Sequence, residues 1–268
     1  MINLLHDILN YEFLLHAFWA GTIAAILAGV VGYFVIIRNL TFAAHAMGHI
    51  GFAGASGALL IGLSPILGQL IFTLVAALGM GALGERLSKN DMVIGIVLSF
   101  CLGLGSLFLY LYGGYAGQAM IILFGNLFSV SWHDLQIMIW LTLICLGLMA
   151  IFARKLLFTS FEPELAEAKG VSLCCMSVIF MLITAAAVTI ASQVVGVILV
   201  FTLMIGPPAI ALRFTAHFWS GLGLSLLLSM LIVWFSLVLS YLTDWPVSFW
   251  ISGLVFGFYL LSSVRGMN

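Results

Sequence analysis

His45 and His49 stand four residues apart in the stretch Ala43-Ala44-His45-Ala46-Met47-Gly48-His49-Ile50-Gly51, inside a long run rich in glycine and alanine. On a helix, side chains at i and i+4 share one face, so both imidazoles point the same way. Neutral imidazole is a ligand for zinc and other late first-row metals. Ionisable side chains within a bilayer are costly and mark a pathway or a site. One reading of the pair is packing, with both rings neutral and hydrogen-bonded to backbone or hydroxyl groups in a helical core. The other is a transient metal site in a conduction path, where two ligands from one helix leave positions for a partner helix, water or both. A transported ion must bind well enough to dehydrate yet leave easily. An open two-ligand site suits that better than a closed four-ligand cage.

The same five residues resemble the zinc-binding H-E-x-x-H pattern, but Ala46 stands where the general-base Glu must be and no other acid lies in the run. A metalloprotease would lack its base. Haem held by paired histidines would call for His on further helices. His6, His16, His133 and His217 lie instead near the ends of apolar runs, where solvation accounts for them. Cys101, Cys145, Cys174 and Cys175 form no C-x-x-C pair, so a cysteine zinc site or redox motif has no support. Cys174-Cys175 reads as two small apolar side chains at a helix start.

A second constellation runs from Thr159 to Gly170 and holds Glu162, Glu164 and Glu167, three of the nine acids in the chain. Ser160 is expected to cap a short helix whose first turn carries Pro163 and Glu164, with Gly170 ending it. This is either an ordinary solvated loop helix or a docking helix whose acids complement a basic groove on a cytosolic partner. The chain has no G-x-x-x-x-G-K-[ST] loop and so is not expected to hydrolyse ATP; active transport would need a separate ATPase subunit.

The elements that must position these residues follow from composition. The chain is 64% hydrophobic and 6% charged, against about 25% charged in soluble domains. An all-α polytopic membrane protein is the expected class, because long continuous apolar runs exclude the short alternating strands of a barrel. A net charge of −1 with no basic run gives no nucleic-acid signal. Apolar runs at 13–37, 42–62, 66–84, 92–112, 133–153, 174–191, 193–212, 219–241 and 246–264 have spanning length. Arg38, Arg86 with Lys89, Arg154 with Lys155, Lys169, Arg213 and Arg265 fall at run ends and land on the cytoplasmic side when the N-terminus is outside. That predicts nine crossings, or eight if one run re-enters. Met1 to Glu12 has no Lys or Arg, so the first run is expected to be a retained span rather than a cleaved signal.

The segment 117–132 is expected to lie at the outer surface or partly re-enter. Pro207-Pro208, flanked by Gly196 and Gly206, is expected to break or kink the run 193–212, and a broken helix needs protein or a cavity to cover its freed backbone groups. Gly48, Gly51 and Gly54 belong to a small-residue run that lets helix backbones approach closely, placing the His-bearing helix at the centre of the assembly. No linker interrupts residues 1–268, so a single transmembrane domain is expected, with a cytoplasmic stretch at 156–172 inside it.

Five stretches, in order, resemble the permease subunits of bacterial ABC importers for divalent metals, the group serving zinc, manganese and iron uptake. Arg38-Asn39-Leu40-Thr41 followed by Ala44-His45-Ala46-Met47-Gly48-His49 is similar to the first family signature, and Asn90-Asp91-Met92-Val93-Ile94-Gly95-Ile96 to the second. Phe124-Gly125-Asn126-Leu127 is similar to the third, Thr159 to Ala166 to the cytoplasmic coupling stretch, and Gln193 to Val200, leading to Pro207, to the last. The resemblance implies a type II-like importer bundle in the bacterial inner membrane. It also implies a permease homodimer with two ATP-binding cassette subunits and an extracytoplasmic metal-binding protein, working by alternating access. No cofactor would be bound permanently; the divalent metal is cargo. Glu162, Pro163, Glu164, Leu165, Ala166 and Gly170 would couple to the ATPase subunit.

His49 takes the family's ligand His. His45 takes the place of the family's acidic ligand, a departure that exchanges a charged hard oxygen for a softer nitrogen. That favours zinc over manganese and lets protons compete for the site. It equally allows that this branch has lost coordination there and moves something else. Cys101, Met204 and Asp244 are candidates for further ligands. A stand-alone cation channel or secondary carrier could use the same His pair without any ATPase.

Overall fold

In the computed structural model, residues 12–83, 91–113, 115–125 and 127–265 are described. Among them the chain is helical without strands: α1 (Glu12–Ile37), α2 (Thr41–Leu60), α3 (Pro65–Ala82), α4 (Asp91–Tyr112), α5 (Tyr115–Phe124), a 3-10 turn (Leu127–Ser129), α6 (Trp132–Phe161), α7 (Pro163–Ala168), α8 (Leu173–Val195), α9 (Val200–Phe214), α10 (Phe218–Thr243) and α11 (Val247–Arg265). Six of these helices are long and apolar enough to cross a membrane, and α9 and α11 are shorter apolar helices. Eight of the nine apolar runs each fall on one helix, α2 included, whereas the run 193–212 is divided between the end of α8 and α9. Arg86, Lys89, Asn90, Asn126 and His6 lie outside the described residues.

Helix ends gather at two levels. At one, Arg38 donates to the end of α6, Cys174 Sγ lies 3.8 Å from the Ala82 carbonyl oxygen, and Arg213 donates to Tyr259 Oη at 2.6 Å. At the other, His16 lies against Trp132 and Phe13 against Phe128. Arg38, Arg154, Lys155, Lys169 and Arg213 thus share one end, as the positive-inside bias requires. The cores of α1 and α8 are 67% buried, whereas α4 is 22% buried and lies at the periphery.

Three local expectations are revised. First, α6 runs for 30 residues, about 45 Å at 1.5 Å per residue, longer than a hydrocarbon core of about 30 Å. Arg154 and Lys155 therefore sit inside the helix, exposed, rather than after it. Second, Ser160 does not cap α7. It belongs to α6 and donates to the Leu156 carbonyl oxygen, and Glu162 stands at the N-cap without a side-chain bond.

Third, the prolines do not break their helix. α9 runs through Pro207 and Pro208, and the break lies earlier, at residues 196–199, between α8 and α9. Pro208 has no N–H for the Met204 carbonyl, yet that oxygen is covered: a Cβ on Gly32 of α1 would stand 1.8 Å from it. Glycine lets the α1 backbone close over the freed carbonyl. Gly206 is likewise no break but a packing position inside α9, where a Cβ would meet Val255 at 2.2 Å.

Gly196 makes the break. Its φ of +82° suits glycine, and a Cβ there would stand 2.3 Å from the Leu123 carbonyl oxygen. Gly125, φ +73°, closes the same contact from α5. Val197 N–H donates to the Ile122 carbonyl (3.2 Å) and Ile198 N–H to that of Leu123 (3.2 Å). α5 has ten residues, about 15 Å, too short to span. It is the surface element expected around 117–132, and its last carbonyls satisfy the broken strand of backbone.

Candidate functional site

α2 is built to be crowded. Gly54 crosses Gly68 of α3 so closely that a Cβ on either would stand 2.3 Å from the other's carbonyl oxygen. Gly51 takes the side chains of Gln69 and Thr73. These sit on a buried polar seam between α3 and α8. Thr73 and Thr189 share a hydrogen bond of 3.1 Å, Gln69 Nε2 donates to Ser192 Oγ at 2.5 Å, and Gln193 Nε2 donates to Gln69 Oε1 at 3.3 Å. Small residues and hydroxyls of this kind replace the hydrophobic drive that lipid cannot supply.

The His face of α2 looks another way, between α4 and α9. Phe52, one turn above His49, packs on Gly105 of α4. His45 lies edge-to-face with Phe201 of α9, centroids 5.0 Å apart. The two imidazoles are themselves edge-to-face, with centroids 4.8 Å apart and planes at 84°. Both are half-buried. His49 Nδ1 is buried and has no hydrogen-bond partner among the described residues. Between the histidines, Gly48 faces the helix break: a Cβ there would stand 3.2 Å from the Val197 carbonyl oxygen and 3.0 Å from Val200 Cγ1. Backbone carbonyls at interrupted helices are oxygen donors for cations in transporters.

Among the described residues no third His, Cys, Asp or Glu joins the pair. Cys101 is buried in α4, and Asp244 caps α10 in a left-handed conformation. Met204 is buried in α9. His133 and His217 are exposed near helix ends, and His16 lies on Trp132, as solvation at run ends suggested. The signal for Val197 was in the sequence only as a glycine, Gly196, beside the more conspicuous prolines.

At the other end, α7 projects beyond α6. Pro163 occupies its first turn. Gly170, φ +80°, closes it, with Gly170 N–H on the Glu167 carbonyl and Val171 N–H on that of Ala166, the Schellman arrangement. Ala166 is buried, while Glu162, Glu164, Leu165, Glu167 and Phe161 are exposed. Lys169 Nζ lies 5.3 Å from the Phe158 ring centroid. A short helix thus presents three acids and two apolar side chains at the end of the bundle that carries Arg38, Arg154 and Lys155.

The chain is similar to known proteins over most of its length. The family model "ABC 3 transport family" matches residues 10–266. The manganese transport system membrane protein MntC of Listeria monocytogenes is 32% identical over 212 residues, covering 79% of this chain and 75% of that protein. The high-affinity zinc uptake system membrane protein ZnuB of Haemophilus influenzae is 28% identical over 235 residues, covering 87% and 90%. The solved structure of PsaBC from Streptococcus pneumoniae in complex with Fab superposes with a TM-score of 0.86 at 28% identity, covering 98% of this chain and 95% of that one.

Proposed function

The chain belongs to the ABC 3 transport family, and from that premise we propose that it is the membrane-spanning permease of an ATP-driven importer for a divalent metal cation, with zinc as cargo. Relatives named for manganese and for zinc support a divalent metal without choosing between them. The observation that carries the choice is the His45–His49 pair itself, edge-to-face at 4.8 Å, with His49 Nδ1 buried and without a hydrogen-bond partner among the described residues. Two nitrogen donors, joined by no carboxylate among the described residues, suit zinc better than manganese. The Val197 carbonyl, facing the turn between them, is an oxygen donor at hand.

A site with so few strong ligands holds a metal briefly, as transport requires. The His face lies beside α4, the least buried of the long helices, so a second copy of the chain would cover it. That supports the homodimer. ATP binding and hydrolysis belong to a separate cassette subunit docked on α7, and an extracytoplasmic protein delivers the metal. Manganese is the second reading, favoured by the relatives named for it.

The test is metal competition in the reconstituted permease–ATPase complex. Zinc uptake should exceed manganese uptake in the wild type, and His45→Asp should shift the ratio towards manganese by tenfold or more. An unchanged ratio in His45→Asp would remove His45 from the site.

A further inference from the structure

Arg38 ends α1 and reads in the sequence as one more cytoplasmic cation. Its surroundings are more specific. Nη1 donates to the Leu156 carbonyl oxygen (3.1 Å), Thr159 Oγ1 (3.1 Å) and Ser160 Oγ (3.1 Å). Both hydroxyls in turn donate to the Leu156 carbonyl, at 3.1 Å and 2.5 Å. The guanidinium also lies 5.1 Å from the Phe180 ring centroid, on α8. Thr159 is buried and Arg38 half-buried. A cation at the C-terminal end of α6 complements the helix dipole, but dipole complementarity alone would not require three acceptors and an aromatic face.

The knot lies between the two constellations. Ser160 is three residues before Pro163, the first residue of α7, and Arg38 is three residues before Thr41, the first residue of α2. The intervening turn on the α2 side is tight: Asn39 has φ +55°, and Leu40 N–H donates to the Val35 carbonyl at 3.0 Å. A planar guanidinium in a close-packed setting resists sliding more than a point charge does.

We propose that Arg38 is a positioning residue that makes the projecting helix α7 and the His-bearing helix α2 move as one body. Displacement of α7 by the cassette subunit passes through the last turn of α6 to Arg38, and from Arg38 through Asn39 and Leu40 to the foot of α2. The inference rests on the importer reading for its purpose, but the mechanical link is measurable without any metal.

Hydrogen exchange in the permease–ATPase complex, nucleotide-free against vanadate-trapped, reads that link. In the wild type, residues 163–170 and the first turns of α2 should both change on trapping. In Arg38→Ala the change at 163–170 should persist while that at α2 falls by more than half, and Arg38→Lys should restore part of it. A merely structural Arg38 would alter exchange equally in both nucleotide states. If Arg38→Ala does not assemble, the double variant Thr159→Val/Ser160→Ala removes two acceptors, keeps the charge, and should show the same selective loss at α2. An α2 response in Arg38→Ala equal to the wild type overturns the proposal, as does a wild-type α2 that ignores nucleotide. Metal flux per ATP, measured alongside, should fall several-fold in Arg38→Ala. A wild-type complex that moves no metal, with the exchange pattern intact, would defeat the importer reading and leave the link standing.

Discussion

At the scale of single residues, the chemistry turns on what an imidazole at position 45 does that a carboxylate would not. Each ring offers one lone pair, and a proton and a metal compete for it. Zinc binding to the purified permease should therefore weaken as pH is lowered, and isothermal titration at stepped pH measures this. In His45→Ala/His49→Ala any residual binding should lose that dependence; a wild-type affinity flat with pH would place the metal on other groups. The spacing of the pair was legible because helical periodicity is local. What surrounds them was not, since Phe201 against His45 comes from α9, and Gly105 against Phe52 and Val197 against Gly48 come from α4 and the break. Arg38 shows the same limit. Its charge and its place at the end of an apolar run could be read, whereas the acceptors at Leu156, Thr159 and Ser160 are more than a hundred residues away.

At the scale of elements, the break between α8 and α9 decides where carbonyls become available. Sequence drew attention to Pro207-Pro208, because proline removes a hydrogen bond whatever surrounds it. Whether a helix then breaks depends on what covers the freed oxygen, and here Gly32 does. Gly196 was legible only as a flank, because a positive φ is a property of the turn it joins. Both glycines make testable positions. Gly32→Ala puts a methyl into a backbone contact, and Gly196→Ala adds strain at φ +82° to a clash with α5. Each should destabilise the bundle by about 2 kcal/mol or more, seen as a lower midpoint in thermal unfolding in detergent. Gly79→Ala, where a Cβ meets nothing within 4 Å, is the control and should leave the midpoint unchanged. A Gly32→Ala midpoint equal to that of the control would mean α1 and α9 are less closely apposed than described.

At the scale of the whole molecule, the bundle holds an apolar interior, a half-buried His pair and a short acidic helix at the end that carries Arg38, Arg154 and Lys155. The class and the nine runs were legible from hydropathy and the basic residues, because the bilayer constrains both. The extension of α6 past Arg154 was not, since beyond the lipid the constraint ends. Charge reversal at Glu162 and Glu164 leaves the bundle unchanged on this account, because both side chains are exposed. It should cut cassette binding at least tenfold in pull-down at moderate salt; normal binding and normal uptake would remove α7 as the docking element. The most direct test of the central claim is the elemental content of metal-starved cells lacking this gene. They would be complemented with the wild type or with His45→Ala/His49→Ala at equal membrane expression and offered zinc, manganese, iron and cobalt together. The account predicts that the wild type restores zinc and the double variant does not. Equal restoration by both would contradict it, making the histidines core residues and placing the path elsewhere.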